Sequence, residues 1–210
     1  MQKIFVIGNG ESRRGFDLNK LRSLGTTIGC NALYRDFDPD YLISVDRAMV
    51  EEICRSGYAD SHRVVVNDRW YNDFKHHLGV QSLPVFWTYD IAGKREQSFR
   101  GWSSGPSAIG FATGLTSIEP AETTIYMIGF DFNGHNGLVN NMYKGTSNYV
   151  SEGKPEIFFG NWVRQLHTVL THRPQIKFVR LSRAEMIPPD LVKLDNFTNH
   201  SIDDFDEIVK

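Results

Sequence analysis

The opening stretch, Lys3-Ile4-Phe5-Val6-Ile7-Gly8-Asn9-Gly10-Glu11-Ser12, constrains the fold more than any other part of the chain. A short apolar run of β-type residues feeds a glycine-flanked polar turn. The next segment carries Phe16, Leu18, Leu21 and Leu24 at helical intervals, with Gly25 as a stop. Strand, glycine turn and helix in that order open many nucleotide-binding α/β domains. Gly8 and Gly10 would let a ligand approach the main chain closely, and Asn9 and Ser12 set an amide and a hydroxyl beside it. The same residues also suit an ordinary strand-to-helix turn. The third glycine of the dinucleotide fingerprint and the Lys-Ser/Thr of a phosphate loop are missing, so neither named motif applies.

The strand pattern then repeats. Thr26–Cys30 is followed by Asn31, Tyr41–Val45 (opened by Pro39-Asp40) ends at Asp46, and Arg63–Val66 ends at Asn67, with a helix from Ala48 to about Ser56 between the last two. In an open parallel sheet ligands bind beyond the carboxyl ends of the strands, so polar residues at three successive strand ends mark a candidate site. Asp68–Leu78 is polar, aromatic and less regular; Ser82–Tyr89 reads as a strand and Ile91–Arg100 as a charged surface loop. Ser103-Ser104-Gly105-Pro106-Ser107 has a hydroxyl cap and a first-turn proline, and Ala108–Leu115 is small and apolar nearly all round. A helix packed closely on a sheet is expected there, its N-terminus offering N–H groups to an anion.

Thr124–Phe132 reads as a buried strand reaching Asp131. The Asn-, Gly-, Ser- and Tyr-rich segment after it, with Tyr143 and Tyr149, suggests a lid. Trp162, Leu166, Val169 and Leu170 mark an amphipathic helix, Ile176–Leu181 the last strand, and from Ala184 the chain reads as short turns with an acidic tail, Asp203–Glu207. The expected fold is α/β: a Rossmann-like, mostly parallel sheet flanked by helices, in one domain over residues 1–210. The lid spans about 133–156 and the C-terminal tail about 184–210.

Bulk composition narrows the partners. With 210 residues, a net charge of −2 and acids and bases interspersed, there is no global electrostatic case for nucleic acid or an anionic membrane. Arg13, Arg14, Lys20 and Arg22 form the one local basic cluster near the opening turn. Cys30 and Cys54 are the only cysteines and fit no Cys-x-x-Cys or zinc spacing. No apolar run approaches the roughly 18 residues of a membrane span, and no signal peptide is evident. A cytoplasmic protein with reduced thiols is expected.

Three pieces together resemble the bacterial lipooligosaccharide sialyltransferases: Val6-Ile7-Gly8-Asn9-Gly10-Glu11-Ser12, Gly29-Cys30-Asn31, and Ser103-Ser104-Gly105 leading to Ile125–Phe132. The framework is also similar to the MptE-like 6-hydroxymethylpterin pyrophosphokinase group, whose Pro-Asp-hydrophobic-Asp strand is matched by Pro39–Asp46. The sialyltransferase resemblance nominates Asn9, Gly10, Ser12, Asn31, Ser104 and Gly105 for nucleotide binding. Gly8 and Ser103 lie beside them, and Tyr143 and Tyr149 would be lid hydroxyls for the phosphate. It implies a glycosyltransferase that moves a sugar from a nucleotide-sugar co-substrate to a hydroxyl by direct displacement. The acceptor stays open between a glycan and a modified nucleic-acid base. A CMP-sugar donor would need no metal, whereas a diphosphate donor would bring Mg²⁺ or Mn²⁺ to Asp46 and Asp131.

Two departures matter. Ile157-Phe158-Phe159-Gly160-Asn161 stands where that family carries its catalytic histidine, leaving His135, Asp131 and Asp46 as candidate bases. Glu11 stands where the family has proline, and its charge shifts the expected phosphate position from the opening turn to the helix start near Ser104. The alternatives are Mg²⁺-dependent pyrophosphoryl transfer from ATP to a pterin-like alcohol and a non-catalytic nucleotide-binding protein.

Overall fold

The computed structural model describes residues 1–83, 101–116, 122–184 and 186–210. Strands β1 (Gln2–Ile7), β2 (Thr26–Cys30), β3 (Tyr41–Ser44), β4 (Val64–Val66), β5 (Val80–Ser82), β6 (Thr123–Ile128), β7 (Lys177–Leu181) and β8 (Phe197–His200) form one sheet. Its order is β5-β4-β3-β2-β1-β6-β7-β8 and every pairing is parallel. The chain builds outward from β1 to β5, then returns to the other side of β1 as β6. That reversal opens a crevice at the carboxyl ends of β1 and β6, where Ile7 sits opposite Ile128.

Period-two alternation gives the central strands two buried faces. Ile4 and Val6 point into one core, with Ile109 and Ala112 of α3 (Ser104–Gly114) and Leu166 and Val169 of α4 (Gly160–His172). Phe5 and Ile7 point into the other, with Met49, Val50 and Ile53 of α1 (Arg47–Arg55) and Phe74 of α2 (Asp68–Phe74). The short helices α5 (Pro189–Val192) and α6 (Phe205–Ile208) add Leu191 to the first core and Phe205 to the second. Helix α3, buried along almost its whole length, lies against α4 and strands β1, β2, β3 and β6.

Several elements differ from the sequence expectation. The segment Phe16–Leu24 is not an α-helix: only Leu18–Ser23 winds, as a 3-10 turn capped by Asp17, whose carboxylate accepts from Asn19 N–H at 3.0 Å. Asp68–Phe74, expected to be irregular, is an α-helix because Asn67 caps it, accepting from Arg69 N–H at 2.9 Å. The strand reaching Asp131 stops at Ile128; Gly129 then takes φ +71° and turns the chain. The region beyond Ala184, expected as turns, holds a further strand, β8, and two short helices. The expected strand Ser82–Tyr89 falls outside the described residues beyond Leu83, as does the loop Ile91–Arg100. No described helix is long and apolar enough to cross a membrane.

One charged group holds the carboxyl end of the sheet. Arg180 on β7 has no exposed surface and donates to the carbonyls of Phe130 (2.6 Å), Asp131 (3.1 Å) and Met186 (3.1 Å), to Asn199 Oδ1 on β8 (2.8 Å) and to Ser182 Oγ (3.3 Å). Burial lowers its pKa to about 10, opposed by the nearby Asp131 charge, so it stays protonated at neutral pH. Replacing it by methionine takes a charged donor from the Phe130, Asp131 and Met186 carbonyls and from Asn199 Oδ1, and a nearby positive charge from Asp131. Arg180→Met is expected to lose about 3 kcal/mol or more of stability, measured as a lower urea midpoint.

Candidate functional site

The crevice beyond β1 and β6 is shaped by chain-to-chain contacts. Gly8 N–H donates to Ile128 O (2.8 Å) and Gly10 N–H to Gly129 O (2.9 Å). A Cβ on Gly8 would sit 2.6 Å from Gly129 O, and one on Gly10 would strike the Asp131 carboxylate at 2.5 Å. The two glycines are therefore required by the tail of β6, which crosses directly over the opening turn; neither has positive φ. Asp131 closes the junction, accepting from Ser12 N–H (2.9 Å), from the Ser12 hydroxyl and from the Ser182 hydroxyl (3.3 Å).

A second junction forms beside it. Asn31 takes a left-handed backbone, φ +52°, which asparagine tolerates better than most residues. Its Oδ1 accepts from Ser44 Oγ of β3 (3.1 Å) and from Ser104 Oγ of α3 (2.8 Å), while Ser104 Oγ accepts from Val45 N–H (3.2 Å). One carboxamide thus ties the ends of β2 and β3 to the start of α3, and its Nδ2 keeps no partner among the described residues. Gln165 on α4 fixes the approach to α3, accepting from Ser103 N–H (3.0 Å) and donating to Gly101 O (2.9 Å). Among the described residues no side chain caps α3. With Pro106 lacking an N–H, the amides of Ser104 and Gly105 are the donors this helix start presents.

These junctions enclose a cavity of about 410 Å³. Of the residues expected at a site, it brings together Gly8, Asn9, Gly10 and Asn31 from the first half of the sheet and Ser103, Ser104 and Gly105 from α3. Asp46 and Asp131 also line it. Sequence reasoning missed Trp102, Trp162, Phe130 and Phe132, which supply aromatic wall, and Asn133, Asn140 and Asn141, which close the side under the loop. Two buried atoms in this wall, Asn9 Oδ1 and Asn133 Oδ1, have no hydrogen-bond donor among the described residues. Buried acceptors are seldom left unpaired without cause, and both belong to cavity-lining residues.

Four expected residues lie outside the lining. Ser12 is buried under Asp131. The Tyr143 hydroxyl donates to Asp36 (2.7 Å) and accepts from Arg13 (3.1 Å), on the opposite core. The Tyr149 hydroxyl accepts from Asn9 Nδ2 at 3.0 Å and from Ala32 N–H at 3.4 Å. Burial raises both phenol pKa values, that of Tyr149 to about 12. His135 is exposed on a tight loop closed by the reciprocal His135–Leu138 backbone bonds.

The loop itself is pinned to the opening turn. Met142 N–H donates to Asn9 O (2.8 Å), Asn140 Oδ1 accepts from Glu11 N–H (2.8 Å) and Lys144 pairs with Glu11 at 3.1 Å. Arg14 pairs with the same carboxylate at 2.8 Å. Partial burial alone would raise the Glu11 pKa, but hydrogen bonds and charge from Lys144 and Arg14 outweigh it and lower the pKa. Glu11 is therefore a compensated anion outside the cavity lining.

The two aspartates differ in kind. Both oxygens of Asp131 are engaged. Asp46, at the N-terminus of α1, makes no side-chain cap and has no partner among the described residues. The residue is exposed overall, yet its carboxylate sits in the concave mouth, where lost solvation raises its pKa. The Cys30 thiol, also at the cavity, is pushed up to about 12 by burial, opposed by Arg13, and stays neutral. Among the described residues no group of three or more His, Cys, Asp or Glu could hold a metal ion.

Comparison with protein-family models, curated proteins and solved structures gives no match. The site's own geometry carries the functional reading.

The two aspartates are separable by stability. Between the unfolded and folded pKa of Asp46 the folded state holds the extra proton, so its contribution to stability falls as pH rises through that window. Asp46→Asn is therefore expected to melt at or above wild type at neutral pH. Asp131→Asn, which loses an acceptor facing Ser12, is expected to lose about 1–3 kcal/mol. Thermal and urea unfolding of the two variants check this.

Proposed function

We propose that this chain is a nucleotide-dependent group transferase, moving a sugar from a nucleotide donor to an acceptor hydroxyl by direct displacement. The carrying observation is Asp46: a desolvated carboxylate without a protein partner among the described residues, at the mouth of the β1/β6 crevice. A group in that position suits a general base. The remaining wall supports a nucleotide. The helix start at Ser104 and Gly105, with the Ser103 hydroxyl, offers donors and the positive end of a dipole to a phosphate. Asn9 Oδ1 and Asn133 Oδ1 offer acceptors, and Trp102 and Trp162 offer flat apolar surface.

In the proposed reaction Asp46 takes the proton of the acceptor hydroxyl as its oxygen bonds the anomeric carbon. The carbon–oxygen bond to the phosphate breaks with its electron pair leaving on the phosphate. Charge accumulating there is met by the amides at the start of α3, already oriented by the Asn31–Ser104 bond and the Gln165 clamp. Asp131 serves the fold, holding Ser12 and the β6 tail in place. Among the described residues no group of three or more His, Cys, Asp or Glu could hold a metal ion.

A thermal-shift panel of CMP, UDP, GDP, ADP and ATP, each with and without Mg²⁺, tests this. One nucleotide is expected to stabilise the protein by about 2.7 kcal/mol when present at a hundredfold excess over its Kd. Asp46→Asn should keep that shift while turnover of the matching nucleotide sugar falls by about 10²–10⁴. Wild-type turnover should decline as pH drops through the raised Asp46 pKa. A strict Mg²⁺ requirement with release of AMP from ATP would replace this reading with pyrophosphoryl transfer. Binding without consumption of any nucleotide sugar would leave a binding module.

A further inference from the structure

A smaller recess of about 200 Å³ adjoins the main cavity beyond the carboxyl ends of β3 and β4, and the two share Asp46, Gly101 and Trp102. Asp46 therefore stands on the boundary between two spaces. The recess also holds two arginines with different fates. Arg47 is neutralised by Glu51 (2.9 Å) and Asp73 (2.6 Å). Arg69 has no carboxylate partner among the described residues; its guanidinium lies 4.7 Å from the ring centroid of Trp70. That ring is itself fixed, its indole N–H donating to Val45 O at 2.8 Å. Among the described residues the recess thus presents a cation held over an indole ring without a carboxylate partner, and a carboxylate without a partner, that do not pair with each other.

We propose that this recess is the acceptor subsite and that it takes a hydroxyl compound of about one sugar ring that carries an anionic group, the anion on Arg69 and the reacting hydroxyl on Asp46. This rests on the transferase reading above. Three features set the class. The volume equals on the order of six or seven waters, room for a single ring and too little for a folded nucleic acid. Trp102 lines the edge shared with the main cavity. A guanidinium binds carboxylate or phosphate by two parallel hydrogen bonds, whereas a neutral acceptor would leave Arg69 unused and an acceptor with its charge near Asp46 would be repelled. In the transfer, the proton goes from the acceptor hydroxyl to Asp46, the acceptor oxygen bonds the sugar carbon, and the nucleotide leaves with the electron pair of the broken bond.

The test uses the full chain with and without the nucleotide that stabilises it. Methyl β-glucuronide, glucose 6-phosphate and the neutral methyl β-glucoside are titrated by calorimetry against wild type, Arg69→Gln and Arg69→Lys. At least one anionic probe is expected to bind about tenfold or more tighter than the glucoside. Arg69→Gln should abolish that preference, Arg69→Lys should keep part of it, and neither should change the nucleotide-induced thermal shift. Preference for glucuronide marks a carboxylated acceptor, and preference for glucose 6-phosphate a phosphorylated one. Equal binding of all three probes by wild type, or an anionic preference unchanged in Arg69→Gln, overturns the proposal. If no nucleotide shifts the wild type, the transferase reading fails and the acceptor assignment with it, whereas an Arg69-dependent preference in that case marks the recess as an anionic-sugar site of another kind.

Discussion

A buried guanidinium is the constraint on which the rest depends. Arg180 reaches the carbonyls of Phe130 and Asp131, and the Asp131 carboxylate reaches Ser12, so β7 fixes the tail of β6 and that tail fixes the turn after β1. A desolvated charge is tolerated only when its donors are matched, and all of these partners must be in place at once. The cavity is the space left beside this locked junction. Its walls cannot drift independently.

The second junction, at Asn31, performs the same service with neutral groups. One oxygen takes hydrogen bonds from β3 and from α3, and the left-handed backbone lets the chain turn off β2 just where that oxygen is needed. Together the two junctions separate two aspartates: Asp131 is held on both oxygens, whereas the Asp46 side chain has no donor among the described residues. A carboxylate with three donors is a fastening.

Much of this was legible locally. The alternation of short strands with polar ends announced a parallel sheet, and Gly8–Asn9–Gly10, Asn31 and Ser103–Ser104–Gly105 were found because each motif lies within a few consecutive residues at a strand or helix end. What escaped were long-range partnerships. Arg180 looked like one charge in a short strand, and two of its acceptors lie 49 and 50 residues away. The 3-10 turn at Leu18–Ser23 has the same leucine spacing as an α-helix. The helix Asp68–Phe74 was hidden by polar, aromatic composition, though its Asn67 cap was a readable signal. The tyrosines of the loop were expected over a ligand, yet Tyr143 lies in the opposite core, because a phenol ring suits an apolar core as well as a phosphate. The Glu11 charge, a reason to move the phosphate away from the opening turn, is met by Lys144 and Arg14, and Lys144 is far off in sequence.

The presence of Asn199 among the partners of Arg180 bears on the order of events during synthesis. β1 emerges first but finds its neighbour β6 only after more than half the chain has been made, and such non-local pairing is slow. Even then the guanidinium lacks its amide acceptor until β8 has left the ribosome. A nascent chain stopped short of residue 199 would carry every residue of the cavity wall and still lack one of the fastenings that give the wall its shape. The last strand, which lines no part of the cavity, is a checkpoint for the first turn.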